Sequence, residues 1–128
     1  MAVVLVLEDD PGLQFTFSEA LEDAGHEVHI ASDNEEAMNE LRRCNPDVLL
    51  LDLMVDGGLS TDVANYAGYS APDAEVIYVT GSGLFAKGEL FNMTQNARMV
   101  LRKPVDLREL ITMVGHVAPG SVPLSATA

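Results

Sequence analysis

Asn45-Pro46-Asp47-Val48-Leu49-Leu50-Leu51-Asp52-Leu53 is the stretch that decides the fold class. Four branched apolar residues follow one another without a polar break, which suits a strand buried on both faces, as in a parallel sheet. Pro46 stops any helix before it, and Asp52 closes the run with a carboxylate. The same pattern recurs on either side. Val3 to Leu7 is a continuous apolar run ending at Glu8-Asp9-Asp10-Pro11, Val76 to Val79 ends at Thr80-Gly81, and Arg98 to Leu101 ends at Lys103-Pro104. Val28 and Ile30 alternate with Glu27 and His29, the mark of a strand nearer a sheet edge.

Between these runs the apolar spacing turns helical. Asp10 and Pro11 make a cap and first turn, Leu13, Phe17, Leu21 and Ala24 share one face, and Gly25 is placed to end the helix. Ser32 with Glu35 resembles a capping box for a helix carrying Ala37, Met38 and Leu41 inward. Asp106 with Glu109 repeats that pattern before a helix with Leu107, Leu110, Ile111, Val114 and Val117 on its core face. From Asp56 to Pro72 the pattern is least clear: Gly57 and Gly58 read as loop, and Ser60 caps a short helix with Val63, Ala64 and Ala67 inward. A weak helix is expected over Phe85 to Asn92. Five β–α alternations predict an α/β fold with a doubly wound parallel sheet. In such sheets the functional site lies beyond the carboxyl ends of the strands.

Composition narrows the function classes. The chain has 128 residues, enough for one domain with a real core. Its net charge is −13, and residues 1–41 contain no Lys or Arg. That field repels nucleic-acid phosphates and anionic membranes, so neither is an expected partner. Met1 to Leu7 is too short to span a bilayer and lacks the basic start of a signal peptide, and the single Cys44 has no partner for an internal disulfide. A cytoplasmic location is the expectation. Residues 1–118 read as one domain, and residues 119–128 as a flexible tail or the start of a linker.

The strand ends carry the chemistry: Glu8, Asp9 and Asp10 after the first, Asp52 after the third, Thr80 after the fourth and Lys103 after the fifth. If the first and third strands are neighbours, carboxylates converge and repel unless a cation binds. Oxygen donors of this kind suit magnesium, Mg2+. Aspartate is a competent nucleophile towards phosphorus, and Lys103, Thr80 and the bound cation would each face one oxygen of a transferred phosphoryl group. Gly81 leaves room for a phosphate against the backbone. Each residue alone has a plainer meaning: helix-start acids, a turn aspartate, a solvated lysine. His26, His29 and His116 show no metal-ligand spacing, Met93 and Met99 with Phe91 read as core, and Cys44 reads as a helix-end residue.

Taken in order, Val-Leu-Val-Leu-Glu8-Asp9-Asp10, Pro46 to Met54, Val79-Thr80-Gly81 and Lys103-Pro104 resemble the receiver domains of two-component response regulators over about residues 1–118. The resemblance implies a five-stranded flavodoxin-like sheet with strand order 2-1-3-4-5. It implies an acidic pair Glu8 and Asp9, with Asp9 a direct metal ligand, Asp52 as phosphoacceptor and the Met54 carbonyl as a further ligand to Mg2+. Thr80, Gly81 and Lys103 would bind and read the phosphoryl group, and Lys103-Pro104 would be a cis peptide. A sensor histidine kinase or histidine phosphotransfer protein would be the donor, and an output protein the target. Such a domain assists only its own aspartyl phosphorylation and dephosphorylation, and is not an enzyme on other substrates.

The chain also departs from the family. Asp56 stands where the family usually has proline, Val100 stands where it often has an aromatic residue, and Met54 and Ser82 hold the positions that tune dephosphorylation. These changes motivate a second reading, a binding module that signals without phosphorylation. A phosphohydrolase is disfavoured because Met54 replaces the second acid it needs, and a flavin site because no Ser/Thr-rich loop follows the first strand.

Overall fold

The computed structural model describes residues 1–55, 58–81 and 96–117. The apolar runs form β1 (Val3–Leu7), β2 (Glu27–Ala31), β3 (Val48–Asp52), β4 (Glu75–Thr80) and β5 (Ala97–Arg102). They pair in parallel in the spatial order β2-β1-β3-β4-β5, as expected for a flavodoxin-like sheet. The alternating strand, β2, is an edge, and β1 and β3, apolar but for the terminal Asp52, are interior.

Helices α1 (Pro11–Asp23), α2 (Asn34–Arg43), α3 (Thr61–Ser70) and α4 (Leu107–Val117) cover the two faces. Because strand side chains alternate, each strand feeds two cores. On one face Val4, Val6, Leu50, Ile77, Val79 and Leu101 meet Phe17 and Leu21 of α1 and Leu110 and Val114 of α4. On the other, Leu5, Leu7, Leu49, Leu51 and Tyr78 meet Ala37 and Leu41 of α2 and Val63, Ala64 and Ala67 of α3. Burial on both faces is why β1 and β3 carry no polar alternation.

Several expected details shift. The cap of α2 is Asp33, not Ser32: its Oδ1 accepts from Glu36 N–H at 2.8 Å, while Glu36 Oε1 accepts from Ser32 N–H at 2.8 Å. The box is therefore displaced by one residue, with an aspartate carboxylate better suited than a hydroxyl to the positive helix end. Ser60 precedes α3 but makes no side-chain cap; its hydroxyl is buried without a hydrogen-bond partner among the described residues. Ala24 is exposed and Ile111 only half-buried, whereas Met113 packs against the core. A short antiparallel ladder of Met54–Val55 with Gly58–Leu59 was not foreseen, since two-residue strands carry no periodicity.

Other expectations hold. Gly25 ends α1 at φ 93°, a backbone region costly for any residue with a Cβ. Asp106 Oδ1 accepts from Arg108 N–H at 2.9 Å and Glu109 N–H at 3.3 Å at the start of α4. Met99 packs in the α1/α4 core. His26 is a structural acceptor, taking the Ala2 N–H on Nδ1 at 3.0 Å. Burial, then the neighbouring N-terminal ammonium, push its pKa down and keep it neutral. The helix expected over Phe85 to Asn92, the residues Phe91 and Met93, and the 119–128 tail lie outside the described residues. Among the described residues no helix is long and apolar enough to cross a membrane.

Candidate functional site

Sheet register sets the site. Leu7 pairs with Leu51 and with Ala31, and Asp52 pairs with Val79, so the strands finish nearly level. Glu8, one residue past β1, thus stands beside Asp52, the last residue of β3. With Asp9 they offer three carboxylate oxygens that lie within 4.8 Å of one another. Glu8 is 1% exposed and Asp52 6%, while Asp9 faces solvent.

The corner after β1 is built to hold these acids. Asp10 Oδ1 caps α1, accepting from Gly12 N–H at 2.8 Å and Leu13 N–H at 3.1 Å, as its place before Pro11 suggested. Glu8 Oε1 accepts from Asp10 N–H at 3.2 Å. Gln14, in the first turns of α1, donates from Nε2 to the Glu8 carbonyl at 2.6 Å and to Ser32 Oγ at 3.0 Å. Gln14 is a positioning residue that the sequence reading missed. Nothing in a lone helical glutamine points to such a role.

Lys103 enters from the end of β5. Its Nζ lies 3.2 Å from Asp52 Oδ2 and 3.2 Å from Glu8 Oε2. Burial, then the Asp52 charge, push the Glu8 carboxyl up, and Lys103 only partly offsets them. For Lys103, burial acts to lower the pKa, but Asp52 and then Glu8 outweigh it and the net shift is upward. One ammonium thus faces two buried carboxylates, with Asp9 as a third acid in the same cluster. Glu8 Oε2 is buried and, although 3.2 Å from Lys103 Nζ, accepts no hydrogen bond among the described residues. An orphaned buried oxygen in a set of hard oxygen donors fits a magnesium ion, which takes such ligands and retains waters.

Thr80, 6% exposed, ends β4, and its carbonyl accepts the Lys103 N–H at 2.9 Å, tying the two strand ends together. Gly81 lies against the lysine stem: a Cβ added there would sit 3.6 Å from Lys103 Cδ. Lys103-Pro104 is cis. Met54 donates its N–H to Asp52 Oδ1 at 3.4 Å, and its side chain is exposed, so only its backbone addresses the site. All seven residues singled out from sequence therefore stand on the loops or strand ends at the carboxyl end of the sheet. Val100 is buried in the α2/α3 core and pairs in register with the fully buried Tyr78 of β4. An aromatic ring thus neighbours the valine, though on the adjacent strand. Ser82 lies outside the described residues. Burial, then Glu40 and Glu27, push the Cys44 thiol up.

Comparison with known proteins agrees with this geometry. The family model described as the response regulator receiver domain matches residues 4–115. The sensory transduction protein RegX3 of Mycolicibacterium smegmatis is 32% identical over 119 residues, covering 91% of this chain and 50% of RegX3. The chain spans about half the length of that relative. Protein PilH of Pseudomonas aeruginosa is 28% identical, with 94% of this chain and 100% of PilH covered. Among solved structures, a receiver domain from Clostridium thermocellum superposes with a TM-score of 0.80 at 27% identity, covering 91% and 94% of the two chains. The response regulator TrrA of Thermotoga maritima, solved in complex with Mg(2+)-BeF, gives 0.79 at 26% identity, covering 91% and 99%.

Proposed function

This chain belongs to the response regulator receiver domain family, and from that premise we propose that it accepts a phosphoryl group on Asp52 in an Mg2+-dependent reaction and switches conformation to control an output partner. The observation that carries the reading is the meeting of Glu8, Asp9 and Asp52 within 4.8 Å, with Lys103 Nζ 3.2 Å from two of them. The donor is a phosphohistidine on a sensor histidine kinase or phosphotransfer protein. An Asp52 carboxylate oxygen attacks phosphorus, the P–N bond breaks, and the leaving imidazole takes up a proton. Asp9, Asp52 and the Met54 carbonyl would hold magnesium, with Glu8 beside them. When bound, the ion neutralises charge on the phosphoryl oxygens.

Lys103 contributes in two stages. Before phosphorylation its ammonium pairs with Asp52 Oδ2 at 3.2 Å and holds the nucleophilic carboxylate in place. Afterwards it exchanges a carboxylate for a phosphoryl oxygen. The Thr80 hydroxyl donates to another, and Gly81 lets the backbone approach. Since Lys103 and Thr80 share a backbone hydrogen bond, a shift at either moves the other strand end. The domain acts on no other substrate. The net charge of −13 supports a protein partner over nucleic acid or membrane, and the single Cys44 with no disulfide partner in the chain suits a cytoplasmic location. We take residues 1–118 as the domain and 119–128 as tail or linker.

Buried Val100, where the family often has an aromatic residue, favours one alternative, a module that signals by binding alone. Amide NMR with magnesium and beryllofluoride separates the two. The phosphoacceptor reading expects large shifts at Asp52, Thr80, Gly81 and Lys103, and modest ones at Val100. Negligible shifts at all of them favour the alternative.

A further inference from the structure

Away from the phosphoacceptor end, on edge strand β2 and at the C-terminal end of α2 with its cap, His29, Glu40 and Cys44 bring together a ring nitrogen, a carboxylate oxygen and a sulfur within 4.8 Å of one another. We propose that these three residues bind a borderline-soft divalent ion such as zinc, in a site separate from Glu8, Asp9 and Asp52 and independent of phosphorylation.

Local geometry makes this more than proximity. His29 pairs in register with Leu5, on the α2 side of the sheet, while Glu40 lies in the last turn of α2 and Cys44 caps its C-terminus, its N–H donating to the Glu40 carbonyl at 2.8 Å. His29 Nε2 is 2.7 Å from Glu27 Oε2, and His29 Nδ1 is 3.5 Å from Glu40 Oε2. With the ring proton on Nε2 and directed at Glu27, Nδ1 presents a lone pair to a carboxylate lone pair, an arrangement that calls for a positive charge between them. A carboxylate that orients a metal-binding imidazole through its other nitrogen is a common outer-shell device. The remaining Glu40 oxygen, Oε1, is taken by Arg43, which leaves Oε2 as a single-oxygen ligand.

Distances suit a four-coordinate ion. Zinc bonds of about 2.0–2.3 Å to nitrogen, oxygen and sulfur place tetrahedral ligands roughly 3.4–3.6 Å apart. The measured 3.5 Å from Nδ1 to Oε2 is already such an edge. Cys44 Sγ lies within 4.8 Å of both atoms. His29, Glu40 and Cys44 are all half-buried, so solvent reaches the site and water completes the fourth position. The set mixes nitrogen, sulfur and oxygen donors, which selects against magnesium and calcium. On binding, the S–H bond of Cys44 breaks, its proton goes to solvent, and sulfur bonds the ion.

The competing arrangement is a proton in the metal's place: a His29 imidazolium bridging Glu27 and Glu40. Titration of the whole chain with cobalt(II), followed by optical absorption, decides between them. The proposal expects one cobalt per chain and a sulfur-to-cobalt charge-transfer band that zinc abolishes by displacement. Cys44→Ser should remove the band, and Asp9→Asn should keep it. His29→Gln and Glu40→Gln should each weaken binding, and Glu27→Gln should do so by about tenfold. No thiolate band in the parent protein overturns the proposal. So does a band whose affinity is unchanged in both His29→Gln and Glu40→Gln, which would be metal on the thiol alone. One metal per two chains also overturns it, because the site would then lie between copies.

Discussion

Replacing Lys103 by methionine keeps the aliphatic stem and deletes the ammonium that faces two buried carboxylates. Lys103 Nζ is 3.2 Å from Asp52 Oδ2 and 3.2 Å from Glu8 Oε2. Removing one partner of a buried pair costs about 3–5 kcal/mol, because the other charge stays behind unpaired. Two facts place this case near the lower end. The lysine side chain is 25% exposed, and the stranded carboxylates can take up a proton. We expect a loss of about 3 kcal/mol around pH 8, or a fall in Tm of roughly 10 °C for a domain of this size.

The pH dependence of this loss follows from the direction of the Glu8 shift. Burial, then Asp52, hold the Glu8 carboxyl above its ordinary 4.5. A folded state that binds more protons than the unfolded chain loses stability as pH rises above that ordinary value. Without Lys103 the carboxyl rises further, so the penalty of the variant grows from pH 4.5 upward. The lysine's own contribution is complete below its ordinary 10.5 and disappears only as pH climbs through its raised value, so it is present throughout this range. Thermal unfolding by circular dichroism at about pH 4.5 and about pH 8, with and without magnesium, measures the effect. The penalty should be largest at the higher pH without metal, and should shrink when magnesium binds the same carboxylates. A loss under about 1 kcal/mol, or one equal under all four conditions, would refute the reasoning.

Three further outcomes are expected. Asp10→Ala deletes the cap on Gly12 and Leu13 N–H and should cost about 1 kcal/mol in urea unfolding. Gly25→Ala meets no atom within 4 Å, so its cost of about 1–2 kcal/mol comes from the φ of 93° alone, and a neutral result in the same assay would show that the turn relaxes. Asp9→Asn should abolish magnesium binding in calorimetry while leaving the metal-free fold as stable or slightly more so, since it relieves repulsion among three acids.

What could be read in the sequence follows the physics of each element. Strands buried on both faces announce themselves as unbroken apolar runs, so β1, β3 and β4 were legible, and with them the residues at their carboxyl ends. That is why Glu8, Asp52 and Thr80 are legible at strand ends, while Lys103 follows β5, where only Met99, Val100 and Leu101 form an apolar run. Capping was less legible: Ser32 and Asp33 are both good caps, and the choice depends on where Glu36 can reach back, a tertiary matter. The Met54–Leu59 ladder was invisible because two residues have no period. Gln14 and the His29–Glu40–Cys44 group were invisible for another reason. Each depends on a contact between α1 or α2 and a strand edge that only packing creates.

The most direct test of the central claim is intact-mass analysis after incubation with a small phosphodonor such as acetyl phosphate. The account predicts that one phosphoryl group is added, that magnesium is required, that hydroxylamine releases it, and that Asp52→Asn abolishes labelling while the protein stays folded. Labelling of Asp52→Asn as efficient as that of the parent would contradict the assignment of the phosphoacceptor. No labelling of the parent by any donor would contradict the phosphorylation reading itself.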